Sequence, residues 1–139
     1  RNMNKILIAT HGHLASGLQS SLDILTGLGP KITVIDAYVD DHNYIFDIQK
    51  FINDLNGEKG VIFTDLIGGS VNQKVILELN NKKNIYLISG VNLPVVLSVL
   101  LETRPINEDV LNDIIQSSQV EMVSLKDNSI KETEEDFLA

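Results

Sequence analysis

The chain has 139 residues, contains no cysteine and carries a formal net charge of −8 at pH 7. This length suits a single domain, and the lack of cysteine excludes disulfides, thiolate metal sites and cysteine nucleophiles. The negative charge argues against binding to nucleic acid or to anionic lipid, because both depend on clustered lysine and arginine.

The sequence lacks the features of a membrane-spanning or secreted chain. No uncharged apolar run approaches the roughly 18 to 20 residues of a membrane-spanning helix. We take Met3 as the native first residue, and Lys5 leads into a strand-like run instead of the apolar stretch of a signal peptide. We therefore expect a cytoplasmic protein.

Strand and helix patterns alternate along the chain. Short apolar, β-branched runs predict strands, and apolar residues at helical spacing predict helices. In chain order, the predicted elements are a strand at 5–9, a helix at 14–25, a strand at 32–37, a helix at 44–55, a strand at 60–64, a helix at 70–79, a strand at 85–88, helices at 93–101 and 108–116, and a short final strand at 120–123.

This alternation implies parallel strands joined by right-handed crossovers. We predict an α/β fold with a doubly wound, mostly parallel sheet in the flavodoxin-like order 2-1-3-4 plus the short final strand, with helices on both faces. Residues 3–125 are expected to form the domain. Residues 126–139, with five acidic residues and two lysines, are expected to form a solvated acidic tail.

The segment 93–101 is apolar nearly all the way round, apart from Pro94 and Ser98. A helix with this pattern needs cover on more than one side. Because large apolar patches are rarely left in water, the segment predicts a homodimer.

The candidate site lies where ligands bind in such folds, beyond the carboxyl ends of the strands. His11 and Asp65 follow the first and third strands, which are neighbours in the predicted order, so the two side chains should face each other. Gly12 would let the backbone come close to whatever the imidazole holds.

Two interpretations of Asp65 are open at this stage. A carboxylate after a strand can simply cap the next turn. Alternatively, it can accept the Nδ1 proton of His11, which leaves Nε2 with the free lone pair of a nucleophile. The turn Gly68-Gly69-Ser70 opens a helix and can offer backbone N–H groups to phosphoryl oxygens, or it can be a tight turn with a serine N-cap.

Other sites are disfavoured by the sequence. His13 and His42 are interpreted as surface or capping residues, and no third ligand stands at usable spacing for a metal. A P-loop motif is missing, and the spacing of Gly12 and Gly17 does not fit a dinucleotide fingerprint. A receiver domain would need an acidic pair after its first strand, and this chain has none there. A histidine phosphatase would carry the motif Arg-His-Gly, whereas this chain has threonine before His11, so this class is disfavoured as well.

Three motifs at strand ends carry a family resemblance: Ile8-Ala9-Thr10-His11-Gly12, Phe63-Thr64-Asp65 followed by Gly68-Gly69-Ser70, and Ser89-Gly90-Val91-Asn92-Leu93-Pro94. Together they resemble the enzyme IIA domain of the mannose family of bacterial sugar phosphotransferase systems. The resemblance covers about residues 3–123. One departure is Val71, where many relatives have proline.

The resemblance implies a function and its residues. His11 would be the phosphorylated nucleophile and Asp65 its orienting partner, with Thr10, Gly68, Gly69 and Ser70 at the phosphate site. The donor would be phospho-HPr and the acceptor a histidine of enzyme IIB, which feeds a membrane permease. A homodimer and no cofactor are implied as well. The phosphotransferase subunit of dihydroxyacetone kinase and a non-catalytic regulatory module remain alternatives.

Overall fold

The computed structural model describes residues 3–126. Its elements in chain order are β1 (Lys5–His11), α1 (Leu14–Thr26), a short 3₁₀ turn (Gly29–Lys31), β2 (Ile32–Ala37), α2 (Ile45–Leu55), β3 (Gly60–Thr64), α3 (Ser70–Glu78), β4 (Ile85–Ser89), α4 (Leu93–Leu101) and α5 (Glu108–Ser117). Within this part of the chain, each helix is too short or too polar to cross a membrane.

The four strands form one parallel sheet in the order β2-β1-β3-β4. This confirms the predicted doubly wound α/β fold and its strand order. Ala9 of β1 pairs with Thr64 of β3, so the residues that follow these strands emerge side by side at the carboxyl edge of the sheet.

Helices cover both faces of the sheet. The alternation of side chains along β1 sends Ile6 and Ile8 to one face and Leu7 and Ala9 to the other. The first face packs against α1, α4 and α5, and the second packs against α2 and α3. Because both faces of β1 and β3 are buried, the ends of these strands are held in fixed positions.

The predicted final strand at 120–123 is wrong. In the part of the chain that the structure describes, these residues form no strand, and Val120 and Met122 are 92% and 97% exposed. Their alternating, β-branched pattern suits a strand, but a strand also needs a neighbour with free hydrogen-bonding groups. The predicted acidic tail lies outside the described residues from position 127 onward.

The apolar helix α4 is covered more fully than its sequence suggested. Val95, Val96, Val99 and Leu100 are buried in the core that α4 shares with α1 and α5. Leu101 is the exposed large residue of this helix. The apolar surface of α4 is therefore covered mostly within the chain, and the argument for a dimer from this helix loses its main support.

Candidate phosphoryl site

His11 and Asp65 meet at the carboxyl edge of the sheet. One carboxylate oxygen of Asp65, Oδ2, accepts the backbone N–H of His11 at 2.9 Å and lies 2.9 Å from Nδ1 of the same residue. The side chain of His11 is 40% exposed and that of Asp65 only 12% exposed. The carboxylate thus holds the imidazole from the protein side and leaves the outer edge of the ring accessible.

This contact defines the chemistry of the imidazole. A carboxylate only accepts hydrogen bonds, so Nδ1 carries the proton and Nε2 of neutral His11 keeps its lone pair. The other oxygen of Asp65, Oδ1, accepts the N–H of Leu66 at 3.1 Å. The carboxylate therefore contacts both the turn that follows it and His11, as the two interpretations of Asp65 require.

Asp65 stays ionised in this environment. Partial burial favours the neutral acid, but the hydrogen bonds from the backbone and the ring of His11 oppose it and lower the pKa of Asp65 below its ordinary value. The negative charge next to Nδ1 favours positive charge on the imidazole ring.

The Gly68-Gly69-Ser70 turn lies against the free edge of His11. Gly68 has a φ of 75°, which disfavours other residues. A Cβ on Gly69 would lie 3.2 Å from the carbonyl oxygen of Leu66 and 3.7 Å from Cε1 of His11. A side chain at position 69 would therefore crowd Leu66 within the turn, while it would meet the imidazole only at ordinary van der Waals distance.

Ser70 is not the N-cap that one interpretation of the sequence predicted. Gly69 is the N-cap of α3, and Ser70 is the first helical residue, so its hydroxyl is not the helix cap. Instead, Ser70 Oγ lies 3.3 Å from Nε2 of His11. With the proton on Nδ1, the hydroxyl donates to Nε2.

A buried asparagine that the sequence analysis did not single out supports this turn. Asn72 accepts the N–H of Gly68 at 3.0 Å through Oδ1 and donates to the hydroxyl of Thr64 at 2.9 Å through Nδ2. The Thr64 hydroxyl in turn donates to that of Ser89 at 3.0 Å. This network fixes the turn to β3 and β4.

Thr10 lies outside this group of side chains. Its hydroxyl is completely buried and accepts the N–H of Ala15 at 2.8 Å, in the first turn of α1. The predicted contribution of its side chain to phosphate binding is therefore not supported, because the hydroxyl is directed into the protein.

The two other histidines are surface residues that pair with carboxylates. Nδ1 of His13 lies 3.1 Å from Oδ2 of Asp36, and Nε2 of His42 lies 2.8 Å from Oδ2 of Asp47. The structure does not bring either one to His11 in a hydrogen bond. Among residues 3–126, no group of three side chains is arranged to hold a metal ion.

Three further residues surround the site. The Tyr38 ring centroid lies 5.4 Å from that of His11, and its hydroxyl lies 2.8 Å from Ser70 Oγ and 3.2 Å from the hydroxyl of Tyr44. Lys74 Nζ lies 5.5 Å and 4.9 Å from the ring centroids of Tyr38 and Tyr44. Two signals were available in the sequence: Tyr38 directly follows β2, and Lys74 stands four residues after Ser70 on the same helix face.

Comparison with known proteins identifies the family of the chain. A sequence model of the family described as EIIA-man, PTS system fructose IIA component, matches residues 5–117. No curated protein sequence matches the chain.

Solved structures share the fold over most of their length. A phosphotransferase system component EIIA from Streptococcus agalactiae is 26% identical, with a TM-score of 0.69 over 84% of this chain and 92% of that one. A PTS IIA protein associated with a fucose utilization operon of Streptococcus pneumoniae is 22% identical, with a TM-score of 0.73 over 90% and 96%. A mannose/sorbose specific IIA subunit from Enterococcus faecalis is 14% identical, with a TM-score of 0.79 over 91% and 98%.

The lowered pKa of Asp65 predicts how stability depends on pH. A carboxylate whose pKa is lower in the folded state stabilises the fold above its unfolded pKa of about 3.9, and this contribution is lost as pH falls through the folded value. We expect wild type to be more stable than Asp65→Asn at about pH 5, with the difference shrinking toward about pH 3. Urea unfolding of both proteins measures this, with Asp41→Asn in an exposed loop as the control. A difference that stays constant over this range would contradict the assignment.

Proposed function

The chain belongs to the family of IIA components of the sugar phosphotransferase system, and we propose that it carries a phosphoryl group on Nε2 of His11. The observation that carries this proposal is the contact of Asp65 Oδ2 with Nδ1 of His11 at 2.9 Å. It leaves Nε2 as the nucleophile, on the exposed edge of the ring. Ser70 Oγ, 3.3 Å from Nε2, is placed to bind a phosphoryl oxygen.

The bonds that form and break in the transfer are the N–P bonds of two imidazoles. The lone pair of Nε2 attacks phosphorus on the phosphohistidine of the donor, a N–P bond forms on His11, and the donor N–P bond breaks with its electron pair returning to the donor ring. Since Nδ1 keeps its proton, the phosphorylated ring of His11 is positively charged, and the Asp65 carboxylate stabilises it. Transfer to the acceptor repeats these steps with His11 as the leaving group.

The surroundings of His11 suit a protein donor. Leu14, Val39, Leu66 and Ile67 are exposed apolar residues on segments next to His11, and apolar surface of this kind favours contact with another protein. In this proposal phospho-HPr is the donor, a histidine of enzyme IIB is the acceptor, and the sugar is taken up by a membrane permease that IIB serves. The whole transfer takes place in the cytoplasm and uses no cofactor.

The sequence left two alternatives to this function open. The match to PTS IIA components over residues 5–117 supports the sugar system over the phosphotransferase subunit of dihydroxyacetone kinase. A regulatory module without phosphoryl transfer would have no use for a nucleophilic Nε2 held by a carboxylate. We therefore regard the phosphoryl carrier as the best supported function.

We expect one phosphoryl group per chain after incubation with phosphoenolpyruvate, enzyme I and HPr. Intact-mass spectrometry measures it, and the label should be lost in acid because a phosphoramidate hydrolyses there. His11→Ala should take up no phosphate, while His13→Ala, the control two residues away, should be labelled like wild type. Label that persists in His11→Ala would refute His11 as the acceptor, and an unlabelled wild type would favour the regulatory module.

We also propose a homodimer, but the evidence for it now comes from the residues after α5 and not from the apolar segment 93–101. Four large apolar residues after α5 are exposed: Val120, Met122, Val123 and Leu125. A run of this kind is rarely left in water. We propose that a second copy of the chain covers this run. The dimer contact then leaves the surface around His11 accessible to the phosphoryl donor.

Sedimentation velocity at micromolar concentration should show a dimer for wild type and a shift toward monomer for Val120→Asp combined with Met122→Asp. Ile24→Asp is the control, because Ile24 is as exposed but lies on α1. A monomeric wild type, or a double variant that stays dimeric, would contradict this interface.

A further inference from the structure

Tyr38 has a conformation that needs a structural reason. Its φ is 69°, in the left-handed region that bulky residues rarely adopt, and it lies directly after β2. This backbone directs the ring against the imidazole of His11, with the centroids 5.4 Å apart and the planes 36° apart. The Tyr44 ring contacts Tyr38 edge-on, at 5.6 Å between centroids. The aromatic ring is thus held in place on two sides.

The hydroxyl groups form a directed chain that ends on the nucleophile. With Nδ1 of His11 protonated, Ser70 donates to Nε2, so Ser70 Oγ accepts from the hydroxyl of Tyr38 at 2.8 Å. The Tyr44 hydroxyl, 3.2 Å away, can then donate to that of Tyr38. When a phosphoryl group replaces the Ser70 contact on Nε2, the Ser70 hydroxyl can donate to a phosphoryl oxygen instead, and the neighbouring Tyr38 hydroxyl can turn from Ser70 Oγ to another of these oxygens.

The charge of the site requires a cation that the fold supplies on α3. A phosphoryl group adds about two negative charges next to the Asp65 carboxylate, in a chain whose net charge is −8. Lys74 stands one helical turn after Ser70, and its ammonium lies over the rings of both tyrosines.

From this geometry we propose that Tyr38 and Lys74 complete the phosphoryl site: the Tyr38 hydroxyl donates to a phosphoryl oxygen on His11, and the Lys74 ammonium compensates its charge. The inference rests on the proposed phosphoryl group at Nε2. It adds a hydroxyl donor and a positive charge, which the glycine turn does not provide. It also gives a reason for the unfavourable backbone conformation of Tyr38.

The inference predicts the protonation of the phosphoryl group. The titratable side chains that face it are Asp65, Tyr38, Tyr44 and Lys74. Removing the Lys74 charge or the Tyr38 hydroxyl makes the dianion less stable, so the phosphoryl pKa should rise by about 0.5 pH unit, the size expected of one partly screened charge.

The test phosphorylates the full chain with potassium phosphoramidate, which needs no protein donor, and follows the ³¹P chemical shift of His11 against pH. Lys74→Met and Tyr38→Phe keep the apolar parts of both side chains and should show the shift. Lys74→Arg should behave like wild type. The controls are Lys82→Met, beyond the other end of α3, and Tyr86→Phe, on β4.

The outcomes separate this inference from the carrier function. A phosphoryl pKa that is unchanged in both Lys74→Met and Tyr38→Phe would overturn it and leave the carrier function intact. Labelling and shifts as expected, without transfer from phospho-HPr, would support it and refute the carrier function. A wild-type chain that phosphoramidate leaves unlabelled at His11 would overturn both.

Discussion

The contact between the Asp65 carboxylate and His11 is the interaction on which the rest of the site depends. A single oxygen receives both the backbone N–H and the Nδ1 proton of His11. The first bond fixes where the residue stands, and the second fixes which nitrogen is free. Charged hydrogen bonds of this kind are worth about 1.5 to 3 kcal/mol, enough to select one tautomer and one ring orientation at an exposed position. Ser70 and Tyr38 are arranged around the nitrogen that this choice leaves available.

The fold makes this contact possible by placing β1 beside β3. In a parallel sheet both strands end at the same edge, so residues far apart in the sequence become neighbours. Helices on both faces bury the strands, and the buried Asn72 fixes the turn against Thr64. His11 thus stands on a rigid edge, with exposed apolar side chains next to it. In the proposed function, this division suits a carrier that meets two different proteins with one reactive nitrogen.

The sequence predicted the parts of this arrangement that depend on pattern and topology. Alternation of strands and helices predicted the sheet order, and the order placed His11 opposite Asp65. Local geometry was less predictable. The apolar pattern at 120–123 indicated a strand but could not show whether an edge was available to pair with it. A shift of one residue in the start of α3 decided that Gly69, and not Ser70, is the N-cap. The direction of the Thr10 hydroxyl depends on where α1 begins. Tyr38 directly follows β2, which places it at the same edge of the sheet as His11. The left-handed backbone that turns its ring toward His11 is not typical of tyrosine and could not be predicted.

The most direct test of the account asks which nitrogen holds the phosphoryl group. NMR spectra of the phosphorylated protein with ¹⁵N-labelled histidine report it through the coupling between phosphorus and nitrogen. The account predicts that phosphorus couples to Nε2 of His11 and that Nδ1 keeps its proton, hydrogen-bonded to Asp65. Phosphorus bound to Nδ1 would contradict the role of Asp65, because that nitrogen could not then donate to the carboxylate.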